Sequence, residues 1–298
     1  LFVLGDLTDA KDHHPSLLVN QVVQAACGVI EHAGLEELVV LRGNHDGVDP
    51  EWPYFRFLNE LPRVAFIFEP DLCDFGGECA VMLPHSRRPE EDWRAMRDTK
   101  APDAFMHATV QGAEAEGGQR LLGDGLSTRF VRSFAAKKIW SGDVHVPQRC
   151  GPVEYVGSPY PVRFGDSFRP RVVYLNDRGV PEDLYPPTIR RLMLDVTDPS
   201  DLNRVRTAAG DQAKVRVRLE RSQYGLWHDH KAAVQRWAER KRVELASVEL
   251  VPSQSAQEVA TRVTKATAKR DPRQLFLDYC AAADVSDELR ESGKELLD

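Results

Sequence analysis

Leu1-Phe2-Val3-Leu4 is an uninterrupted apolar run that ends in Gly5-Asp6. A short run with no polar position predicts a strand buried on both faces, delivering an acid at its carboxyl end. Leu17, Leu18, Val22, Val23, Ala26, Val29 and Ile30 then recur at helical spacing, and Gly34 closes that helix. Leu38-Val39-Val40-Leu41 repeats the strand pattern and runs into Gly43-Asn44-His45-Asp46. An aromatic helix over 52–61 is expected next, followed by strands over 64–68 and 79–83. Residues 89–96 read as a helix whose acids precede its arginines, as the helix dipole favours. Further apolar stretches predict strands at 104–107, 139–143, 153–156 and 172–175. Alternating strands and helices, then clustered strands, imply a layered α/β domain over residues 1–187. Adjacent acids and prolines at 182–187 predict a hinge at its end.

Beyond residue 187 the pattern changes. A strand over 192–196 and a short helix over 199–206 lead to Lys214-Val215-Arg216-Val217-Arg218-Leu219. That stretch alternates at period two, so Val215, Val217 and Leu219 should face a core and Arg216 and Arg218 the opposite side. A helix over 227–242 and a strand over 243–251 complete a small α+β unit, residues 188–252. Residues 253–298 are expected to be helical. Asp271-Pro272-Arg273-Gln274 is a helix start, and Leu275, Phe276, Tyr279 and Cys280 form one apolar stripe suited to a partner's groove.

Charge sharpens this division. Lys+Arg 39 against Asp+Glu 46 gives a net charge of −7, so the chain as a whole is no polycation. Residues 203–244 nevertheless carry 11 Lys/Arg against five Asp/Glu, and any nucleic-acid contact must come from such a local patch. No apolar run approaches the about 18 residues of a spanning helix, and no leader pattern is present. Five scattered cysteines without a CxxC pair suit free thiols in a reducing cytoplasm. The chain opens at Leu1, without methionine and inside an apolar run, which leads us to expect a further segment upstream.

Four strings carry chemistry together. Gly5-Asp6-Leu7-Thr8-Asp9, Gly43-Asn44-His45-Asp46, His107 after Ala104-Phe105-Met106, and Gly142-Asp143-Val144-His145 each follow an expected strand. Ligands in open α/β sheets bind at the carboxyl ends of strands. Carboxylate, amide oxygen and imidazole in one place suit Mn²⁺, with Fe or Zn less specific, and two such ions can clamp both oxygens of a phosphoryl displacement. His13-His14 and His228-Asp229-His230 read as solvated surface; for His85, in Leu83-Pro84-His85-Ser86, a structural role is favoured over an approach to substrate.

These strings resemble the motifs of the calcineurin-like metallophosphoesterases. His145-Val146-Pro147-Gln148, Tyr155-Val156-Gly157-Ser158-Pro159 and Arg163-Phe164-Gly165-Asp166 are similar, more narrowly, to the SbcD-type nuclease subunit. The resemblance implies a two-sheet sandwich flanked by helices, a capping domain and a helical tail. It implies two divalent metal ions, Mn most of all, and hydrolysis of phosphodiester bonds at the ends of double- or single-stranded DNA. It also implies work with an SbcC-like SMC-family ATPase, with a homodimer as a further association. Carried over, Asp6 bridges the two ions, Asn44, His107 and Asp143 complete one, and His145 serves the other. His45 assists the leaving oxygen, Asp46 orients His45, and Asp9 is a supporting or turn residue. Leu275, Phe276 and Tyr279 would dock the ATPase, and Arg216, Arg218, Arg221, Arg240 and Arg242 would hold the DNA backbone.

Two departures follow. Asp143 stands where the family carries His. The family's first motif, Asp-x-His, is absent, so either it precedes Leu1 or the second ion keeps only Asp6 and His145. A general phosphoesterase for nucleotides or phosphoproteins, and a DNA-end scaffold with an incomplete metal site, are the rival readings.

Overall fold

The computed structural model describes residues 1–252 apart from 12, 48, 50, 76, 116, 117, 122–124 and 177. The chain divides into two compact units, Leu1–Arg191 and Leu192–Asp298. In the first, β1 (Phe2–Val3), α1 (Ser16–Ala33), β2 (Leu38–Leu41) and, after a 3-10 turn at Tyr54–Glu60, β3 (Val64–Ile67) form a parallel sheet ordered β1-β2-β3. Gly34 ends α1 in the left-handed region (φ 61°) and donates its N–H to Ile30 O, the closure that its position in the sequence suggests.

The second sheet takes β4 (Asp71–Phe75) and β5 (Glu78–Leu83), then, after α2 (Pro89–Asp92), β6 (Asp103–Met106). After α3 (Thr128–Val131) it adds β7 (Lys138–Ser141), β8 (Gln148–Cys150) and β9 (Val153–Tyr155), in the order β4-β5-β6-β7-β9-β8. The strands β5, β6, β7 and β9 run parallel, and β4 and β8 are antiparallel edges.

Alternation along the central strands builds the layers. Val39 and Leu41 pack with Ala80, Met82, Phe105 and Trp140, so one face of each sheet meets the other. Phe2 stacks on Phe105 at 4.5 Å between ring centroids and meets Phe75 edge-on at 4.9 Å. Leu38 and Val40 face the other way, against Ala26 and Ile30 of α1. Val81, Leu83, Ala104, Met106 and Ile139 fill a third core with Trp93 and Phe134. The result is the expected α/β sandwich of two sheets between helices. Each fully buried Leu or Phe in these layers contributes about 1.5–3 kcal/mol.

Three expectations change. Residues 52–61 and 89–96 form tight turns rather than regular helices: 3-10 at Tyr54–Glu60, one α turn at Pro89–Asp92, and 3-10 at Arg94–Met96. The hinge expected at 182–187 is partly a strand. There β11 (Pro181–Leu184) pairs antiparallel with β10 (Val172–Leu175), and an edge strand tolerates prolines and acids that a central one does not. His14 is no solvated residue: it lies 2.8 Å from Thr8 Oγ1 and stacks on Tyr54 at 4.0 Å.

In the second unit β12 (Arg191–Val196), β13 (Gln212–Leu219) and β14 (Glu244–Pro252) form a sheet in that order. Between β13 and its parallel neighbour β14 runs α4 (Trp227–Lys241). Ala213, Val215, Val217 and Leu219 are buried against Val234, Trp237 and Ala238 of that helix, as period-two alternation requires. Among the described residues no helix is long and apolar enough to cross a membrane. The expected helical tail, with Leu275, Phe276 and Tyr279, lies outside the described residues.

Candidate metal centre

The site lies where both sheets end. The loops after β1, β2, β6 and β7 bring in Asp6, Asn44, His107 and Asp143 respectively. Asp6, His107 and Asp143 each offer a ligand atom, and these atoms lie within 4.8 Å of one another. His107 is buried, with Nε2 at 3.3 Å from Asp6 Oδ2, 3.6 Å from Asp143 Oδ1 and 2.9 Å from Asn44 Oδ1. Its other nitrogen, Nδ1, contacts Leu4 O at 2.6 Å. A backbone carbonyl behind one ring nitrogen is how proteins orient a metal-ligating imidazole, leaving the other nitrogen to face the ion.

The loops are built for this approach. Cβ atoms on Gly5 (φ 89°) or Gly142 would both run into His107 Nδ1, and one on Gly142 would also strike Leu4 O. Asp6 and Asp143 themselves adopt left-handed backbone, φ 57° and 70°. Aspartate bears that conformation better than most residues, at a cost of order 1–2 kcal/mol, and such strain collects at functional sites. The Thr109 hydroxyl donates to Asp143 Oδ2, and the His45 N–H donates to Asp6 Oδ1 at 2.9 Å.

The donor set fits a divalent ion. Two carboxylates, an amide and an imidazole nitrogen converge with acceptor atoms inward. Turned over, the Asn44 amide could donate to both Asp6 oxygens at 3.2 Å and to His107 Nε2 at 2.9 Å. With its oxygen inward it joins a ring that only a positive charge satisfies. The same ring favours a proton on His107. Burial opposes the charged imidazole, but Asp6, Asp143 and the Leu4 carbonyl outweigh it and hold the group up to about 9. Burial likewise raises the Asp6 carboxyl, yet His107 and the His45 N–H bring it below the usual range.

The second loop needs correction. Asp46 does not orient His45. It is buried, and its carboxylate accepts N–H bonds from Gly43 (2.7 Å), Asp6 (2.8 Å) and Leu7 (2.8 Å), pinning the loop after β1 to the loop after β2. Burial holds this carboxyl above its ordinary range despite those donors. Asp9 is the acid beside His45, its Oδ1 2.8 Å from Nδ1 in a close contact without hydrogen-bond alignment. Asn44, His45 and Asp46 turn through a tight loop, so neighbours in sequence point to different places.

His145 is not a member of the Asp6–His107–Asp143 group. Its carbonyl accepts the Ser158 N–H at 2.9 Å, and Pro147 packs 2.5 Å from where a Cβ on Gly157 would sit. Tyr155 accepts the Val110 N–H at 2.7 Å and donates to Ala108 O at 3.0 Å, which steadies the chain beyond His107. The backbones of the strings at 145–148 and 155–159 are therefore packed on each other. His85, for which the sequence favours a structural role over an approach to substrate, comes close to the centre, its ring 6.2 Å from that of His107 and nearly perpendicular. Burial, helped by His107 and Arg42, pushes its pKa down to about 4. The register of β5 beside β6 puts it there, and sequence spacing does not show that.

Arg216 and Arg218 sit on the outer face of β13, as expected, but each meets an acid: Glu249 at 3.6 Å and Asp195 at 3.1 Å. Arg240 donates to Asn203 Oδ1 at 2.6 Å. The backbone of Arg242 (φ 55°) caps α4, and Arg221 opens the 3-10 turn before that helix.

Residues 1–147 match the family model described as calcineurin-like phosphoesterase, a span that includes the strands leading to Asp6, Asn44, His107 and Asp143. The chain is also similar to "Exonuclease subunit 1" of Enterobacteria phage T4. Identity is 24% over 182 residues, covering 58% of this chain and 51% of that protein. The chain thus spans about half the length of that relative.

Proposed function

We propose that this calcineurin-like phosphoesterase domain serves a divalent-metal-dependent nuclease that hydrolyses phosphodiester bonds at DNA ends. The observation that carries the reading is the convergence of Asp6, His107 and Asp143, with Asn44 beside them, on one ring of acceptor atoms. A divalent ion bound there would activate water and stabilise charge on the phosphoryl oxygens. Asp6, Asn44, His107 and Asp143 would hold the ion, and His107 is kept in position by Leu4 O. His45, with Asp9 beside it, is the imidazole available to protonate the departing oxygen. Manganese is the metal we favour, from the mixed oxygen and imidazole donors. His145 is assigned to a second ion, whose remaining ligands the described residues do not identify.

A nucleic-acid substrate draws on the likeness to the T4 exonuclease subunit and on the basic stretch at 203–244, and DNA is the form we favour. An SMC-like ATPase docked on residues 253–298 is the partner this reading calls for. The acids beside Arg216 and Arg218 favour a second reading, a phosphoesterase for small substrates, because paired arginines attract a polyanion less. A panel of linear duplex, single-stranded DNA, a cyclic nucleotide and a phosphomonoester, each with Mn²⁺, separates the two. Cleavage of both DNA forms ahead of the small esters is the expected result, and preference for the monoester would overturn it.

The arginines have their own test. Replacing Arg216 and Arg218 together with Ala should weaken duplex binding about tenfold and flatten the dependence of log affinity on log salt by about 1–2. Fluorescence anisotropy over a salt series reads both. An unchanged slope would leave these arginines to Glu249 and Asp195 alone.

A further inference from the structure

We propose that His85 contacts the substrate, its imidazole N–H donating to a non-bridging oxygen of the phosphate held at the Asp6–His107–Asp143 centre. This inference rests on the reading of that centre as a phosphoester-hydrolysing site. His85 stands between two of the elements that build it. Its main-chain N–H donates to Arg42 O at 2.9 Å, two residues before Asn44. On the other side, His107 N–H donates to Leu83 O at 3.1 Å, two residues before His85. These bonds tie the ends of β2, β5 and β6 together and leave the His85 ring edge-on to His107, 6.2 Å between centroids.

The segment is held firmly. The buried Trp93 indole donates to Pro84 O at 3.1 Å, immediately before His85. Just after it, the Ser86 hydroxyl donates to Asp92 and accepts the Arg88 N–H at 2.8 Å. A ring on so fixed a backbone suits positioning, where small errors in geometry cost much of the rate. The ring itself is half-buried, and among the described residues nothing hydrogen-bonds to its nitrogens. An imidazole kept only for structure normally spends its N–H on a protein acceptor. It is also not one of the mutually adjacent ligand groups, so it is placed to meet an oxyanion on the ion rather than the ion.

The test compares His85→Ala and His85→Asn with the parent in the full-length protein. With Mn²⁺ and bis(p-nitrophenyl) phosphate, His85→Ala should raise KM about tenfold or more, with a smaller change in kcat. Calorimetry should find Mn²⁺ affinity unchanged, and His85→Asn, which keeps an N–H donor, should recover part of the loss. Inorganic phosphate added to the Mg²⁺-loaded protein should shift the His85 ring resonances and bind about tenfold more weakly to His85→Ala. Unchanged KM and phosphate affinity would overturn the proposal. So would loss of Mn²⁺ binding, which would make His85 a ligand. If the parent hydrolyses no diester with any divalent metal, the functional reading fails by itself. The phosphate titration then still decides His85, a shift supporting it and no shift overturning it.

Discussion

Asp6→Asn should leave the fold intact and cut metal-dependent hydrolysis by about a thousandfold or more. Asparagine has the same shape, and its oxygen can still accept the His45 N–H that Asp6 Oδ1 accepts at 2.9 Å. What it removes is the negative charge facing His107 Nε2 at 3.3 Å in the ring that would hold the ion. Ion-derived stabilisation of a phosphoryl transition state amounts to several kcal/mol, and each about 1.4 kcal/mol is a factor of ten. Diester turnover and Mn²⁺ calorimetry on the same preparations check it. Wild-type affinity together with wild-type turnover would take Asp6 out of the centre.

The same charge has a signature in the metal-free protein. His107 is held up to about 9 in the fold, against about 6.5 for a free imidazole. A raised folded value means that the proton's contribution to stability is fully present below about pH 6.5 and is lost as pH rises through about 9. Urea unfolding of the metal-free protein should therefore show falling stability over that window. In Asp6→Asn the fall should be smaller, because the leading carboxylate partner of His107 is gone.

Asp46→Ala should destabilise the first unit by about 3–5 kcal/mol, a large share of the 5–15 kcal/mol that holds a typical domain. Three main-chain donors, on Gly43, Asp6 and Leu7, lose their acceptor in a place that water does not freely reach. Each buried donor left unpaired costs about 1–3 kcal/mol. Asp46→Asn keeps one oxygen and should fall between the two. Urea midpoints at constant m report the change. If Asp46 acted only through His45, stability would move by less than about 1 kcal/mol and activity alone would suffer. That outcome would restore the role that sequence order suggested for it.

Much of the first unit is legible along the chain because its strands are short apolar runs that end in chemistry. Leu38-Val39-Val40-Leu41 needs two buried faces, and the sandwich supplies them: Val39 and Leu41 toward the second sheet, Leu38 and Val40 toward α1. The period-two stretch at β13 needs one, and it has one. The edges escape this reasoning. In β4 the residues Asp71, Leu72 and Asp74 are exposed, and β11 is exposed throughout. Their sequences carry little hydrophobic signal, because main-chain pairing with a neighbour holds them in place rather than burial.

The candidate ligands Asp6, Asn44, His107 and Asp143 could be named from residue type and strand-end position. Their company is local information: a glycine, an acid or imidazole, and an apolar run before them. What each neighbouring polar group does is not local. Asp46 serves Asp6 and Leu7, some forty residues earlier in the chain. Asp9, not Asp46, reaches His45. His85 comes beside His107 through the register of two parallel strands. Residue chemistry and apolar periodicity act over a few positions, so the sequence alone determined the strands, the α/β layering and the ligand types. Left-handed turns at Asp6 and Asp143, strand order and loop crossings depend on contacts between distant segments. Only the tertiary structure decided them, because a side chain's partner is set by where packed sheets bring the backbone, and sequence neighbours leaving a tight turn diverge.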